Sequence, residues 1–298
     1  MKRFLKLGLG LTLCASLLAG CGGDNGSDTD SGNGESGAGD SSAASGEIIV
    51  ITREQGSGTR GAFVELTGVE ENDQDNTTEE AIVQNKTDGV MTSVSGDENS
   101  IGYISLGSLN DTVKALKIDG AEASSESIKA GDYKISRPFN IAYKEGELSE
   151  GGQDFIKFIL SKEGQEIVSE DYIAVVDDAP AYEPSDVSGS LTIAGSSSVT
   201  PVMEKLAEAY SAINPNLQIA VQQSDSSAGI KAVVDGISEI GMASRELKDS
   251  ELSEVKGEAI ALDGIAVIVN KNNGVDDMTM DSLKGIYTGE ILDWEEVK

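Results

Sequence analysis

The chain contains no histidine in its 298 residues and only two cysteines, Cys14 and Cys21. Without histidine no Ser-His-Asp or Cys-His arrangement can be assembled. Two cysteines confined to the N-terminus offer the rest of the chain neither a disulfide framework nor a thiolate metal site. No Gly-x-Ser-x-Gly elbow or zinc motif is present. The acidic stretch Glu70–Asp75 lacks the central glycine and terminal glutamate of a calcium loop, so no metal is expected. Basic residues are few, 22 Lys+Arg against 52 Asp+Glu, for a net charge of −30. Such a chain has no basic face for a phosphate backbone, which argues against nucleic acid as a partner. The apolar run Leu7–Leu18 is too short for a membrane span.

The first twenty residues read as a secretory leader: Lys2, Arg3 and Lys6, then the apolar run, then Leu18-Ala19-Gly20-Cys21. That ending resembles the lipobox of bacterial lipoproteins, which makes Cys21 the expected lipidation site and the membrane contact a lipid anchor on the extracytoplasmic face. Loss of the three basic leader residues takes the formal charge from −30 to −33. Residues 21–46 are nearly all Gly, Ser, Asp, Asn, Glu, Thr and Ala after the cysteine, a composition expected to form a flexible tether with a reach on the order of 25–30 Å.

From Glu47 onward the pattern is α/β. Strand-like runs lie at Ile48–Thr52, Ile101–Leu106, Leu191–Ala194, Leu217–Gln222, Ile237–Ala243 and Ala259–Asn270. Val199, Met203, Leu206, Ala207 and Tyr210 fall on one helical face, and Ile230, Val233 and Val234 mark another helix. A longer helix over Phe155–Ile167 is expected to break at Gly164. Three stretches rich in hydroxyls and glycine join such strands to such helices: Arg53–Arg60, Gly195–Thr200 and Asp225–Gly229. Free N–H groups and the positive end of a helix dipole make this kind of turn an anion site. Of five arginines, Arg53 and Arg60 flank one turn and Arg245 follows another. A serine or threonine before a helix also serves as an ordinary N-cap, and Arg60 also suits an ion pair. A small oxyanion is the ligand class these turns point to.

Taken together, Leu191–Val202, Ser224–Lys231, Ile240–Arg245 and Thr52–Arg60 resemble the phosphate-binding lipoproteins of bacterial phosphate ABC importers. Ile101–Leu106 and Ser136–Asn140 resemble further family segments. The likeness runs through residues 47–298, with one large departure: the segment 190–298, first in the family, here follows 47–182. Residues 177–189 join the two, as in a circular permutation, which predicts that Lys298 lies near Glu47.

The resemblance implies a two-lobed type II periplasmic-binding-protein fold, with chain crossings near Arg137–Tyr143 and Val269–Asn273. One lobe would be discontinuous, 47–140 plus 271–298, and the other continuous, 141–270. It implies a monomeric receptor, not an enzyme, that captures inorganic phosphate without a cofactor and hands it to the importer's permease subunits. The rival ligands are sulfate, molybdate and tungstate, and the rival activity is an extracellular phosphatase. By motif the phosphate ligands would be Ser197, Ser198, Ser226, Arg53, Ser57, Gly58 and Thr59, with Ser227, Ser244 and Arg245 as further candidates. Some family members place an aspartate at the Arg245 position to accept the proton of hydrogen phosphate. Asp225 or Asp263 could supply that acceptor here, or selectivity could come from geometry.

Overall fold

Runs of β-branched and aliphatic residues place most strands in one sheet, seen in a computed structural model that describes residues 45–297. The leader, Cys21, nearly all of the tether and Lys298 lie outside the described residues. In chain order the principal strands are β1 (Ile49–Arg53), β2 (Ile82–Gln84), β3 (Ser100–Ser105), β4 (Ser136–Tyr143), β5 (Gly189–Ser196), β6 (Leu217–Ser224), β7 (Ile240–Ala243) and β8 (Lys256–Val269). The helices of nine residues or more are α1 (Gly58–Leu66), α2 (Thr87–Gly96), α3 (Glu150–Ile159), α4 (Lys162–Asp171), α5 (Thr200–Ile213), α6 (Ser226–Val234) and α7 (Met280–Thr288). Across the sheet the order is β6-β5-β7-β4-β8-β3-β1-β2. One parallel group (β2, β1, β3) occupies one end and another (β6, β5, β7) the other. The antiparallel pair β4 and β8 joins them in the middle.

Parallel strands need cover on both faces, and each group has it. Ile48, Val50, Phe63, Ile101, Tyr103, Ile135, Val267 and Tyr287 build one core, with Ile51, Val90, Val94 and Ile268 on the opposite face. Phe139, Ile141, Phe155, Leu191, Leu206, Tyr210 and Ile260 build the other, backed by Ile230, Val233 and Ala243. The two central strands serve both. Ile135 packs in the first core and Phe139 in the second; Ala261 packs in the second and Ile265 in the first. The changeover therefore falls near Arg137 and Asp263, in register with each other; the first lies at the start of the expected crossing Arg137–Tyr143, the second six residues before the expected Val269–Asn273. Residues 259–270 form one unbroken apolar run, and nothing in composition marks the point inside a strand where it leaves one core for another.

Two further details differ from the sequence reading. The helix break falls at Leu160–Ser161, where Ser161 accepts from the Gly164 N–H and caps α4. Gly164 sits in the first turn because a Cβ there would collide with the Phe158 carbonyl and lie 2.6 Å from that of Ile159. β4 was hidden by its polar start, Ser136-Arg137-Pro138.

The two ends of the described body meet. Ile48 N–H donates to Leu292 O at 2.7 Å, Trp294 N–H to Gly46 O at 3.0 Å, and Glu47 bridges Asp293. The joining segment 177–189 is pinned elsewhere. The Asp154 carboxylate on α3 accepts from Tyr182 (2.5 Å), Ser185 (2.7 Å) and Tyr210 (2.7 Å) hydroxyls. Burial pushes the Asp154 carboxyl up, but these three donors outweigh it and hold it below the usual range. Asp154→Ala should cost about 2–4 kcal/mol of stability at pH 7, because bonds to a charged acceptor are lost. A carboxyl with a lowered folded pKa stabilises above its unfolded value and loses that contribution as pH falls through the folded one. Thermal melts should thus show the gap to wild type steady from pH 7 down to about 4 and narrowing below that.

Candidate anion-binding site

β1, β5 and β6 each lead into a helix, and each helix start lies at the carboxyl end of its own parallel group, where open α/β sheets hold ligands; the two groups run in opposite directions, and side-chain contacts bring their carboxyl ends together. The side chains there interlock. Ser198 Oγ is 2.9 Å from Thr59 Oγ1, and Ser197 Oγ accepts from Arg53 Nη2 at 3.0 Å. Ser196 Oγ donates to Ser244 Oγ at 2.9 Å; Ser244 Oγ is also 3.4 Å from Thr59 Oγ1 and 3.5 Å from Ser226 Oγ. Ser244 N–H donates to Ser226 Oγ at 3.1 Å. Thr87, at the start of α2, lies 3.3 Å from Ser198 Oγ and 3.4 Å from Ser197 Oγ. Ser198, Ser226 and Ser244 are all 0% exposed. Arg53, Thr59 and Thr87 come from the side of the first core, the serines from the side of the second.

Arg53 is held from three directions. Glu54 takes its Nε and Nη2 edge at 2.8 Å each, Tyr103 OH accepts its backbone N–H at 3.2 Å, and Arg60 Nη1 donates to its carbonyl at 2.7 Å. Burial pushes the Tyr103 hydroxyl up, so it stays a neutral partner. The backbone N–H groups of Gly58 and Thr59 open the first turn of α1, where a helix supplies no acceptor of its own.

The structure thus gathers Arg53, Gly58, Thr59, Ser197, Ser198, Ser226 and Ser244. The remaining sequence candidates have other partners in the structure. Ser57 Oγ caps α1 by accepting from Arg60 N–H at 3.3 Å. Asp225 caps α6, accepting from Ala228 N–H at 2.8 Å. Arg60 pairs with Asp75 at 2.7 Å. Arg245 forms a two-point pair with Glu251, 2.8 Å at each contact, and reaches Ser227 Oγ at 3.3 Å. Asp263 faces Arg137 at 3.1 Å. Neither Asp225 nor Asp263 is hydrogen-bonded to a hydroxyl of the cluster. Thr87 and Ser196 were missed. Asn85-Lys86-Thr87-Asp88-Gly89 is a strand-to-helix turn with a hydroxyl, but it follows a strand of three residues and lacks the Gly-Ser signature.

The chain and its fold have counterparts among known proteins. The PBP superfamily domain model matches residues 33–163 and 180–298. Phosphate-binding protein PstS 2 of Streptococcus agalactiae serotype V is 48% identical over 287 residues, 94% of this chain and 93% of that one. The crystal structure of a phosphate-binding protein of a phosphate ABC transporter from Streptococcus pneumoniae TIGR4 superposes with a TM-score of 0.69 at 47% identity, covering 85% of this chain and 100% of the other. Against the phosphate-binding protein PstS of Bacillus subtilis the match is 37% identity over 113 residues, only 37% of this chain and 38% of that one. With a family model spanning most of its length and a relative of nearly half-identical sequence aligned almost throughout, the chain belongs to the PstS-type phosphate-binding proteins of the PBP superfamily.

Proposed function

We propose that this protein is an extracytoplasmic receptor that closes on inorganic phosphate and delivers it to an ABC-type importer, and that it does no chemistry on its ligand. The observation that carries the reading is the buried convergence of hydroxyls and one guanidinium from both sides of the β4–β8 crossing. Phosphate leaves water only where donors meet all of its oxygens, each charge-assisted bond contributing about 1.5–3 kcal/mol. Thr59, Thr87, Ser197, Ser198, Ser226 and Ser244 would supply hydroxyls, Gly58 and Thr59 backbone N–H groups, and Arg53 its Nη end. A hydroxyl can also turn and accept, which lets the cluster receive the proton of hydrogen phosphate without a carboxylate.

The two cores act as lobes in this reading, and β4 and β8 as the strands on which they swing. Ligand contacts drawn from both lobes exist together only in the closed form, so binding shifts the population toward it. Cys21 would carry the lipid, and the permease subunits would read the closed state. The exchanged order of the halves is a circular permutation in this account. It is supported by the hydrogen bonds between residues 46–48 and 292–294 and by the partial Bacillus match. The streptococcal relative aligns over 287 residues, 94% of this chain, which supports an order of the halves common to both.

Calorimetric titration of the full chain at neutral pH should give one-to-one phosphate binding, with sulfate at least a hundredfold weaker; equal affinities would overturn the assignment of phosphate, and turnover of a phosphomonoester would overturn that of a receptor. Gly58 supplies a second check. A Cβ there would collide with Ser226 and lie 2.8 Å from Ser244 Oγ, whereas one at Gly61 meets only Arg245 Cδ at 3.7 Å. In the same titration Gly58→Ala should weaken phosphate binding at least tenfold and Gly61→Ala by less than twofold, with about 1.4 kcal/mol corresponding to each factor of ten.

A further inference from the structure

A second buried guanidinium stands close to the site and has no assigned task. The strand order β4-β8-β3-β1 sets Arg137, Asp263, Ser105 and Arg53 on four neighbouring strands. Arg137 and Asp263 are register partners, and Arg53 and Ser105 are the last residues of their strands, at the edge where the hydroxyls gather. Arg137 and Asp263 are each 2% exposed.

Their pairing is a partial one. A single contact, Nη2 to Oδ2 at 3.1 Å, joins them, and Asp263 Oδ1 accepts only a long 3.4 Å bond from Gly107 N–H. Arg137 Nε and Nη1 are buried without a hydrogen-bond partner among the described residues. By contrast Arg245 and Arg53 meet their carboxylates at two points. A pair kept only to hold two strands together would be expected to satisfy its donors, since a half-satisfied buried charge is less stable than an apolar contact. Arg137 also feels Arg53. Burial draws its pKa down to about 10, Asp263 works against that shift, and the charge of Arg53 adds to it. The two guanidiniums therefore share a field in a buried interior, with Glu54 offsetting one and Asp263 the other.

We propose that Arg137 is a positioning residue that adds positive potential to the floor of the anion site, and that Asp263 attenuates it. This rests on the reading of the hydroxyl cluster as a phosphate site. In a chain of net charge −30 an anion approaches against the global field, and local buried charge is what reverses its sign. Arg137 need not touch the anion, because charges in such an interior are weakly screened.

The test is calorimetric titration of the full chain with inorganic phosphate, in wild type, Asp263→Asn, Arg137→Gln and Arg137→Lys, each first shown to melt cooperatively. Asp263→Asn should tighten phosphate binding and Arg137→Gln should weaken it, each roughly five- to fifteenfold, the effect of one unit charge acting through a partly polarisable interior, and Arg137→Lys should stay within about threefold of wild type. A purely structural pair predicts otherwise: both neutral variants lose thermal stability while affinity stays within about twofold, or both weaken binding alike. Either result overturns the inference while leaving the receptor intact. A wild-type chain that binds no phosphate overturns the receptor and this inference together. If Arg137→Gln does not fold, the nearly isosteric Asp263→Asn decides alone, since only the proposed field predicts a gain in affinity.

Discussion

An oxyanion withdrawn from water must be met by donors on every side, and no single strand-to-helix turn can surround it. This protein depends on solving that problem by bringing several such turns to one point. Parallel strands make it possible, because their carboxyl ends and the helix starts that follow lie on the same edge of a sheet. Two groups of parallel strands, facing each other across an antiparallel pair, then present their turns from opposite sides. The close approach is written into a few glycines. Gly195 has φ +141°, outside what other residues adopt readily, and a Cβ there would lie 2.7 Å from Met242 N. A Cβ on Gly229 would lie 2.5 Å from the Gly195 Cα, so α6 rests directly on the backbone of β5.

The central pair carries the opposite requirement, continuity. β8 passes from one core into the other within its fourteen residues, and the chain does the same as it enters β4, between Ile135 and Phe139. A strand anchored in two cores can bend or twist where it changes allegiance, while each end stays fixed by its own packing. The changeover coincides with Arg137 and Asp263. An incompletely satisfied ion pair there stiffens the crossing less than apolar packing would. It also leaves charge beside the place where the anion arrives.

Much of this was legible in the residues. The hydroxyl-rich turns stood out because each separates a β-branched run from a helix-periodic one, and the three that were noticed do converge. The individual roles were harder to read. Ser57 and Asp225 fit two roles in sequence, because capping and anion binding ask for the same residue types at neighbouring positions, and the structure shows the capping one. Thr87 was invisible for the reverse reason: its turn lacks the Gly-Ser signature, and it joins the site through contacts with residues 197 and 198, more than a hundred positions away. The crossing on β8 was misplaced because the hydrophobic pattern of a strand records that it is buried, not in which core. Nothing around Arg137 in sequence pointed to the site, since its relation to Arg53 exists only through the order of four strands.

The carboxylates around the site bear on selectivity. Glu54 is engaged by Arg53, Asp225 by the start of α6, Asp263 by Arg137 and Glu251 by Arg245. In a chain this acidic, an additional free carboxylate aimed at the ligand would deepen a repulsion that every bound anion already has to overcome. Hydroxyls avoid that difficulty, because a serine or threonine oxygen carries no charge and changes from donor to acceptor by rotation. A cluster of hydroxyls bonded to one another can therefore adjust its pattern to the proton on hydrogen phosphate. Sulfate, carrying no proton at neutral pH, gives the hydroxyl that had turned to accept nothing to accept, so sulfate is held only after that hydroxyl turns back to donate, at the expense of the bonds the cluster makes among its own members. On this argument the site discriminates through the cooperative orientation of its hydroxyls, and the charges beneath it set how strongly any anion is drawn in.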